Sequence, residues 1–407
     1  MLYRRFGRTE LSMPVFSCGG MRYQQAWTDL KPDTIKTDGQ KNLEAVIHRS
    51  VELGINHIET ARGYGSSEMQ LGWVLPQFPR DNIIVQTKGG PRKNVSEFEA
   101  RFHQSLDYLQ LDYIDLFGIH GINTSQDIEN TLRPGGCLDK ALEWKAQGKL
   151  KHIGFSTHGP TPIIVEAIKS NQFDYVNLHW YYINQFNWPA IQAAHERDMG
   201  VFIISPTNKG GKLNEPPQKL VDLCAPLSPM VFNDLFCLSH PQVHTLSLGA
   251  AKPSDFDEHL KTLELLDRAP EVLAPIVERL DQAAVEAFDQ AFGAGEGEIW
   301  KRSWHRGIPD PSHVPGEISV HTIVWLWNLA KAFDLTEYGK MRYNLLGNGG
   351  DWFPGQRGDR LKELDLTNSL RNSPHAAKIP DVLQEAHTLL KDAQVKRLSQ
   401  SDGDTTL

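Results

Sequence analysis

Residues 54–88 read GINHIETARGYGSSEMQLGWVLPQFPRDNIIVQTK, and this stretch decides the fold class. HIET (57–60) is expected to form a short strand, a helix is expected near 67–77, and NIIVQTK (82–88) is the next strand. The apolar runs lack the two-residue alternation of a half-exposed sheet, which is typical of parallel strands covered on both faces. The stretch therefore predicts one β–α–β unit of a parallel sheet.

The same unit recurs over about 265 residues. Strands are expected at 14–20, 57–60, 82–88, 113–120, 152–158, 175–180, 201–206 and 245–250. Helices are expected at 41–54, 67–77, 96–109, 138–147, 161–170, 188–198, 219–238 and 254–266. Eight units within roughly 250 residues match the size of a TIM barrel. An open, doubly wound sheet would alternate similarly, but no GxGxxG motif follows the first strand, as a dinucleotide-binding sheet would show. The prediction is an α/β fold, a TIM (β/α)8 barrel with a C-terminal, mainly helical extension.

The extension begins where the alternation stops, near Arg268. Its helices are expected at 271–290, 318–333, 336–345 and 380–394, with GAGEGE (293–298) as a flexible break after the first. The chain is therefore expected to comprise a barrel at 1–268, a helical domain at 269–394 and a disordered tail at 395–407.

Charge and composition exclude several function classes. The 407 residues are 40% hydrophobic and 23% charged, as in an ordinary globular protein. A net charge of −8 offers no basic surface for nucleic acid or an anionic membrane. No signal-peptide core or bilayer-length apolar run is visible, so a cytoplasmic protein is expected, without a nucleic-acid or membrane partner.

The four cysteines are widely spaced and form no CxxC pair: Cys18, Cys137, Cys224 and Cys237. Structural metal sites and iron–sulfur clusters need grouped thiolates. We therefore expect reduced thiols, no metal site and no iron–sulfur cluster.

Four polar residues lie at or just past the ends of successive predicted strands: Glu59, Tyr64, Lys88 and His120. In a barrel the carboxyl ends of all strands open onto one face, where active sites of this fold lie. A carboxylate, a phenol, an amine and an imidazole gathered there can transfer a proton.

Several motifs in the same order resemble the aldo/keto reductase family, whose members are NAD(P)H-dependent enzymes built on a TIM barrel. The similar stretches are YRRFGRTELSMPVFSCGGM (3–21), GINHIETARGYGSSEMQLGWVL (54–75), QGKLKHIGFSTH (147–158) and GVFIISPTNKGGKL (200–213). The resemblance covers roughly residues 1–266.

The resemblance implies a role for each of the four strand-end residues. Tyr64 takes the place of the general acid, and Lys88 takes the place of the lysine that lowers the tyrosine pKa. Glu59 stands where the family has an aspartate and would hold Lys88 charged. His120 would hydrogen-bond the carbonyl oxygen or relay the proton.

The resemblance also implies a site for NADP, with NAD as the alternative. Ser156, Thr157 and Asn177 would hold the nicotinamide carboxamide, with Thr157 replacing the usual asparagine. The remaining cofactor positions, which face the nicotinamide, pyrophosphate and adenosine, are Gly20, Met21, Ile204, Ser205, Pro206, Lys209, Gly210, Gly249, Lys252, Asp255 and His259. Lys252 favours NADP, whereas the carboxylate of Asp255 would repel a 2′-phosphate. In HWYYINQFNW (179–188), Trp180 and Tyr182 are candidates for lining a substrate pocket.

The C-terminal region resembles the extension of one branch of the family, a ferredoxin-like helical domain with clustered cysteines. RYNLLGNGGDWFPG (342–355) and KIPDVLQEAHTLL (378–390) are similar to helical landmarks of that extension. No cysteine follows Cys237, so four-thiolate clusters are excluded. A cluster-free helical domain is expected.

The leading hypothesis is an NADP(H)-dependent oxidoreductase acting on a small aldehyde, ketone or alcohol, with Tyr64 as general acid and base. A second hypothesis is a non-catalytic NADP(H)-binding sensor or partner-binding protein whose chemistry Glu59 impairs. A third is a barrel lyase or isomerase that uses Lys88 as a Schiff base.

Overall fold

The computed structural model describes residues 1–348 and 353–394. The predicted disordered tail at 395–407 therefore lies outside the described residues, as does part of the landmark at 342–355.

The chain divides into two compact units. The barrel unit comprises Met1–Gly210 and Asn233–Ala269, and the C-terminal unit comprises Gly211–Phe232 and the described residues from Pro270 onward. The segment Gly211–Phe232 thus groups with the C-terminal helices, although the expected division at 268/269 assigns it to the barrel.

Eight parallel strands close into a barrel at the centre of the barrel unit. They follow one another in chain order, and the last pairs with the first. The strands are β3 (Phe16–Gly19), β4 (His57–Glu59), β5 (Ile84–Gly89), β6 (Ile114–His120), β7 (Leu150–Ser156), β8 (Tyr175–Leu178), β9 (Gly200–Ile203) and β10 (Thr245–Leu248). Each overlaps one predicted strand, so the predicted (β/α)8 barrel is confirmed.

An antiparallel hairpin, β1 (Tyr3–Arg5) and β2 (Ser12–Pro14), precedes the barrel. Its Phe6 is fully buried, with its ring 5.7 Å from that of Tyr175 in the barrel interior. The adjoining Arg8 amide donates to the Asp198 carbonyl, just before β9. The hairpin therefore packs against the amino-terminal ends of the strands and leaves their carboxyl ends for a site.

Helices surround the strands and bury their apolar faces against them. The helices up to residue 260 are α1 (Thr37–Glu52), α2 (Ser67–Gly72), α3 (Val95–Leu109), α4 (Ser125–Leu132), α5 (Cys137–Ala146), α6 (Thr161–Lys169), α7 (Trp188–His195), α8 (Pro206–Lys209), α9 (Gln218–Cys224), α10 (Pro229–Leu238) and α11 (Phe256–Leu260), of which α9 and the start of α10 belong to the C-terminal unit.

Several stretches differ from the predicted helices. A helix at Glu296–Ser303 begins within the break expected at 293–298, and the helix expected at 254–266 is an α-helix only over Phe256–Leu260. The helical stretch predicted at 219–238 is interrupted: α9 ends at Cys224 and α10 begins at Pro229, because Pro226 and Pro229 interrupt the helical hydrogen bonds. Helix α4 was not predicted, although Thr124 and Asp127 form a capping box at its start.

The C-terminal unit is helical beyond residue 269. Its further helices are α12 (Ala269–Phe292), α13 (Glu296–Ser303), α14 (Val320–Phe333), α15 (Thr336–Tyr343), α16 (Thr367–Leu370) and α17 (Ile379–Leu390). Trp300 and Trp327 are fully buried with ring centroids 6.0 Å apart. The indole N–H of Trp300 donates to Asn328 at 2.8 Å, so the buried polar group of this tryptophan is satisfied.

In the described part of the chain no single helix is long and apolar enough to cross a bilayer. The pair α9 and α10, bent by 51°, reaches that limit together by length and composition only.

Candidate active site at the carboxyl ends of the strands

Glu59, Lys88 and His120 lie at the carboxyl ends of three neighbouring strands, β4, β5 and β6. The Glu59 carboxylate is buried and lies 3.5 Å from the Ser247 hydroxyl of β10, so it points into the barrel. The sheet register pairs Lys88 with Gly118 and His120 with Ser156. The predicted strand-end residues are therefore brought together at one rim.

Lys88 and Glu59 form a direct ion pair inside the barrel. Both side chains are nearly inaccessible to water, and the Lys88 ammonium also donates to the Thr60 carbonyl at 2.8 Å. A Cβ atom at Gly118 would lie 3.0 Å from Lys88 Cγ, so the glycine leaves room for the lysine stem. Glu59, whose side chain is one methylene longer than the aspartate of the resembling family, thus keeps its contact with Lys88.

Tyr64 lies in the loop between β4 and α2, and its ring borders both Lys88 and His120. The Lys88 ammonium is 4.9 Å from the ring centroid. The His120 ring meets the tyrosine edge-on at 5.9 Å, and Trp27 meets it edge-on at 6.3 Å. All four predicted residues therefore form one cluster, to which the structure adds Trp27.

Burial dominates the electrostatics of this cluster. It raises the pKa of the Tyr64 hydroxyl above its usual range and lowers the pKa of Lys88 well below its own. The Lys88 ammonium lies over the Tyr64 ring and is bound to Glu59, and its lowering effect on the tyrosine pKa stays a prediction. The pKa of His120 falls to about 3 through burial and the charge of Lys88, so its imidazole is neutral at physiological pH.

A second buried imidazole, His57, lies two residues before Glu59 in β4. Its Nδ1 is 2.6 Å from the Ser17 hydroxyl, which in turn lies 2.7 Å from the Thr245 hydroxyl. Burial, followed by the charge of Lys88, lowers the pKa of His57 to about 3. The barrel interior beneath the site thus holds a neutral histidine beside two hydroxyl groups, with the Phe202 ring 5.3 Å away.

His57→Asn is expected to flatten the acid side of the stability profile. The unfolded chain protonates this imidazole below about pH 6.5, whereas the folded chain does so only near 3. Stability present above pH 6.5 is therefore lost as pH falls, by about 1.4 kcal/mol per pH unit for this group. Urea unfolding from pH 7 to 4.5 measures the slope. The same change at His48, exposed on α1, is the matched control, and equal slopes for His57→Asn and wild type would contradict the expectation.

Ser156 and Asn177 are register partners at the ends of β7 and β8. Asn177 is fully buried, yet neither atom of its side-chain amide has a hydrogen-bond partner among the described residues. Buried amides are rarely left unpaired, so these atoms fit a carboxamide ligand. Thr157 differs, because its hydroxyl donates to the Ile122 carbonyl at 2.7 Å and holds the loop after β6.

The chain turns sharply after β9, where the pyrophosphate positions were predicted. Ser205 has a left-handed backbone (φ 54°), and α8 runs from Pro206 to Lys209 before Gly210. Strained non-glycine residues of this kind concentrate at functional sites. Ile204 points toward the barrel interior, and the buried Lys209 places its ammonium 3.3 Å from the His179 ring.

The predicted adenosine positions are not all brought to one surface. The Asp255 carboxylate accepts from the amides of Ala251 and Lys252, at 2.8 and 3.1 Å, and so closes the loop after Gly249. His259 is buried and paired with Asp234, away from solvent.

At the first strand, Gly20 donates its amide to the Glu59 carbonyl at 2.6 Å. Gly20 therefore lies beside the backbone of Glu59, and Met21, which follows it, is half-buried.

Sequence reasoning missed a histidine pair beside these positions. His158 Nδ1 lies 2.6 Å from His179 Nε2, and His179 Nδ1 lies 2.6 Å from the Tyr181 hydroxyl. Both histidines lie at the carboxyl ends of predicted strands, which was the available signal. Trp180, expected as a pocket residue, is instead buried and stacks on Phe236 at 5.0 Å.

A protein-family model and several known proteins are similar to this chain. Residues 16–218, about half of the chain, match the aldo/keto reductase family model. The chain is 27% identical over 190 residues to L-glyceraldehyde 3-phosphate reductase of Escherichia coli (strain K12), covering 42% of this chain and 49% of that protein. It is 23% identical over 299 residues to the uncharacterized oxidoreductase YqkF of Bacillus subtilis (strain 168), covering 64% of this chain and 90% of that protein.

Among solved structures, an aldo-keto reductase from Klebsiella pneumoniae in complex with NADPH superimposes with a TM-score of 0.53 at 15% identity. The match covers 66% of this chain and 93% of that chain. At this identity the likeness concerns the fold.

Proposed function

Because this chain belongs to the aldo/keto reductase family of oxidoreductases, we propose that it is an NADP(H)-dependent enzyme transferring hydride between nicotinamide and a small aldehyde or ketone, or the matching alcohol. The observation that carries the proposal is the cluster of Tyr64, Lys88, Glu59 and His120 at the carboxyl rim of the barrel.

Tyr64 is the proton donor in this proposal. The raised pKa keeps its hydroxyl protonated at neutral pH, as a donor requires. The phenolate left after transfer is stabilised by the Lys88 ammonium, which Glu59 keeps charged and oriented. His120 stays neutral and is able to donate a hydrogen bond to the carbonyl oxygen of the substrate.

The nicotinamide cofactor supplies the hydride when it is bound. Ser156 and Asn177 hold its carboxamide in this proposal, supported by the unpaired, buried amide of Asn177. Ile204 offers an apolar contact, and the turn at Ser205 to Gly210 faces the pyrophosphate.

The exposed Lys252 favours NADP over NAD as the cofactor. The NADPH bound to the Klebsiella pneumoniae enzyme is consistent with this preference. Asp255 opposes it, since its carboxylate already occupies the Ala251 and Lys252 amides. His259 has no role in the proposal, because it is paired with Asp234.

The remaining parts of the proposal follow from composition. The protein acts in the cytoplasm on a small molecule, without nucleic acid, a metal or an iron–sulfur cluster. The helical region from 269 to 394 serves as a cluster-free domain, because no cysteine follows Cys237.

The proposal is tested by the oxidation of NADPH in the presence of a panel of aldehydes and ketones, together with the variant Asn177→Leu. Leucine removes the buried, unpaired amide, so thermal stability should be unchanged or raised. NADPH affinity should fall about tenfold, because the carboxamide loses its partner. The two readouts are expected to move in opposite directions.

Asn56→Leu, the same change before the amino-terminal end of β4, is the matched control and should leave NADPH affinity unchanged. A wild-type protein that binds NADPH but reduces no carbonyl would reject the reductase and favour the binding-only alternative.

A further inference from the structure

Arg62 is a buried arginine in the loop that carries Tyr64. Its guanidinium contacts Glu68 of α2 through one nitrogen and Asp29 of the β3–α1 loop through another. The Arg62 side chain is 4% exposed, Glu68 is fully buried and Asp29 is 45% exposed. One face of the guanidinium also covers the Tyr108 ring at 4.7 Å. We call Asp29, Arg62, Glu68 and Thr87 the Arg62 cluster.

The Arg62 cluster is bound to the strand that carries Lys88. Thr87, one residue before the lysine, donates its hydroxyl to Glu68 at 2.5 Å. The backbone amide of Arg62 donates to the Lys88 carbonyl at 2.9 Å. Burial raises the pKa of Glu68, and the contacts with Arg62 and Thr87 oppose that rise. The backbone amide of Arg62 thus bonds to Lys88, and its guanidinium is linked through Glu68 to Thr87. Together these contacts set the position of the Tyr64 loop relative to Lys88.

On its other side the Arg62 cluster holds the β3–α1 loop against the tyrosine loop. The Gln25 amide donates to the Ser66 hydroxyl at 3.1 Å. Gly65 has a left-handed backbone, and a Cβ atom there would lie 1.9 Å from the Ala26 carbonyl oxygen, so the two loops touch directly. This contact brings the Trp27 ring edge-on to Tyr64.

Resting on the proposed function, we propose that Arg62 is a positioning residue that acts through Tyr64 and Trp27, joining their two loops so that the carbonyl substrate is held between them. A guanidinium bridges two carboxylates in fixed geometry, which a lysine ammonium does not reproduce. Apolar side chains would satisfy a buried loop contact equally well, so the buried charge fixes one arrangement of the loops. Trp27 then forms an apolar wall of the substrate pocket.

The test compares Asp29→Asn, Arg62→Lys and the matched control Asp33→Asn in the full chain. Asp33 is an exposed carboxylate on the same loop, outside the Arg62 cluster. Asp29→Asn keeps the buried Arg62–Glu68 pair and weakens the contact between loops, besides a long hydrogen bond of 3.4 Å from Gln104 of α3. It should raise KM for carbonyl substrates about fivefold. Arg62→Lys should lower kcat about tenfold, because Tyr64 loses its fixed position.

NADPH affinity and melting temperature are measured for the same proteins. For Asp29→Asn both NADPH affinity and melting temperature are expected to match wild type while KM rises. If Asp29 had a merely structural role, a raised KM would come with a lower melting temperature. Asp33→Asn should match wild type throughout. Wild-type KM and kcat in Asp29→Asn and Arg62→Lys would overturn the positioning role, whereas a wild-type protein inactive on every carbonyl would overturn the proposed function itself.

Discussion

Tyr64→Phe is expected to lower kcat for NADPH-dependent carbonyl reduction about a thousandfold, the range in which a positioned general acid contributes. The change removes only the hydroxyl, so the ring keeps its edge contacts with His120 and Trp27. The geometry of the rim should therefore persist while its proton donor is lost. Initial rates of NADPH oxidation at saturating substrate measure the loss.

The NADPH affinity of Tyr64→Phe shows whether the variant has lost only its proton donor or also the structure of its site. It should stay within about twofold of wild type, because the proposed carboxamide contacts lie on β7 and β8. Tyr113→Phe, the same change just before the amino-terminal end of β6, is the matched control and should retain full activity. Equal rates for Tyr64→Phe and wild type would remove Tyr64 from the mechanism.

Most of the barrel could be predicted from the sequence, because each strand is an apolar run bounded by turn residues. All eight predicted strands overlap observed ones. Helices were predicted less well: the break within 219–238 could have been read from Pro226 and Pro229, which interrupt a helix. The capping box at Thr124 and Asp127 was a readable signal for α4.

The site could be predicted as a set of positions but not as a set of interactions. Strand ends placed Glu59, Lys88 and His120 together, since register follows from the barrel itself. Hydrogen-bond partners depend on tertiary packing, so the engagement of Thr157 with Ile122 could not be foreseen. The same holds for the surroundings of Tyr64, whose burial raises the pKa of the hydroxyl.

The contacts of Trp27 lay beyond sequence reasoning as well. They depend on how the long β3–α1 loop folds back over Gly65, and no local periodicity encodes that path. The charges of Asp29 and Arg62 are visible in the sequence, but only the structure shows that the two side chains form an ion pair.

Glu59→Gln is the second substitution with a large expected effect, a loss of about a hundredfold in kcat at pH 7. The amide cannot balance the charge of Lys88, whose ammonium is already disfavoured by burial. Lys88 should then lose its proton, and the phenolate form of Tyr64 would lose its stabilising charge. The defect should be partly recovered at lower pH, where the lysine regains its proton, so the pH profile of kcat is the measurement that identifies the cause.

Glu59→Asp tests whether the glutamate at position 59 supports the chemistry or impairs it. The shorter carboxylate keeps the charge but shortens the reach toward Lys88 by one methylene, so kcat should stay within about tenfold of wild type. A large gain in kcat for Glu59→Asp would mean that glutamate impairs the chemistry, as the binding-only alternative requires. Because Glu59 and Lys88 already meet directly, and Gly118 gives the lysine stem its space, we expect no such gain. Such a result would support the proposal that Glu59 holds Lys88 charged beside Tyr64.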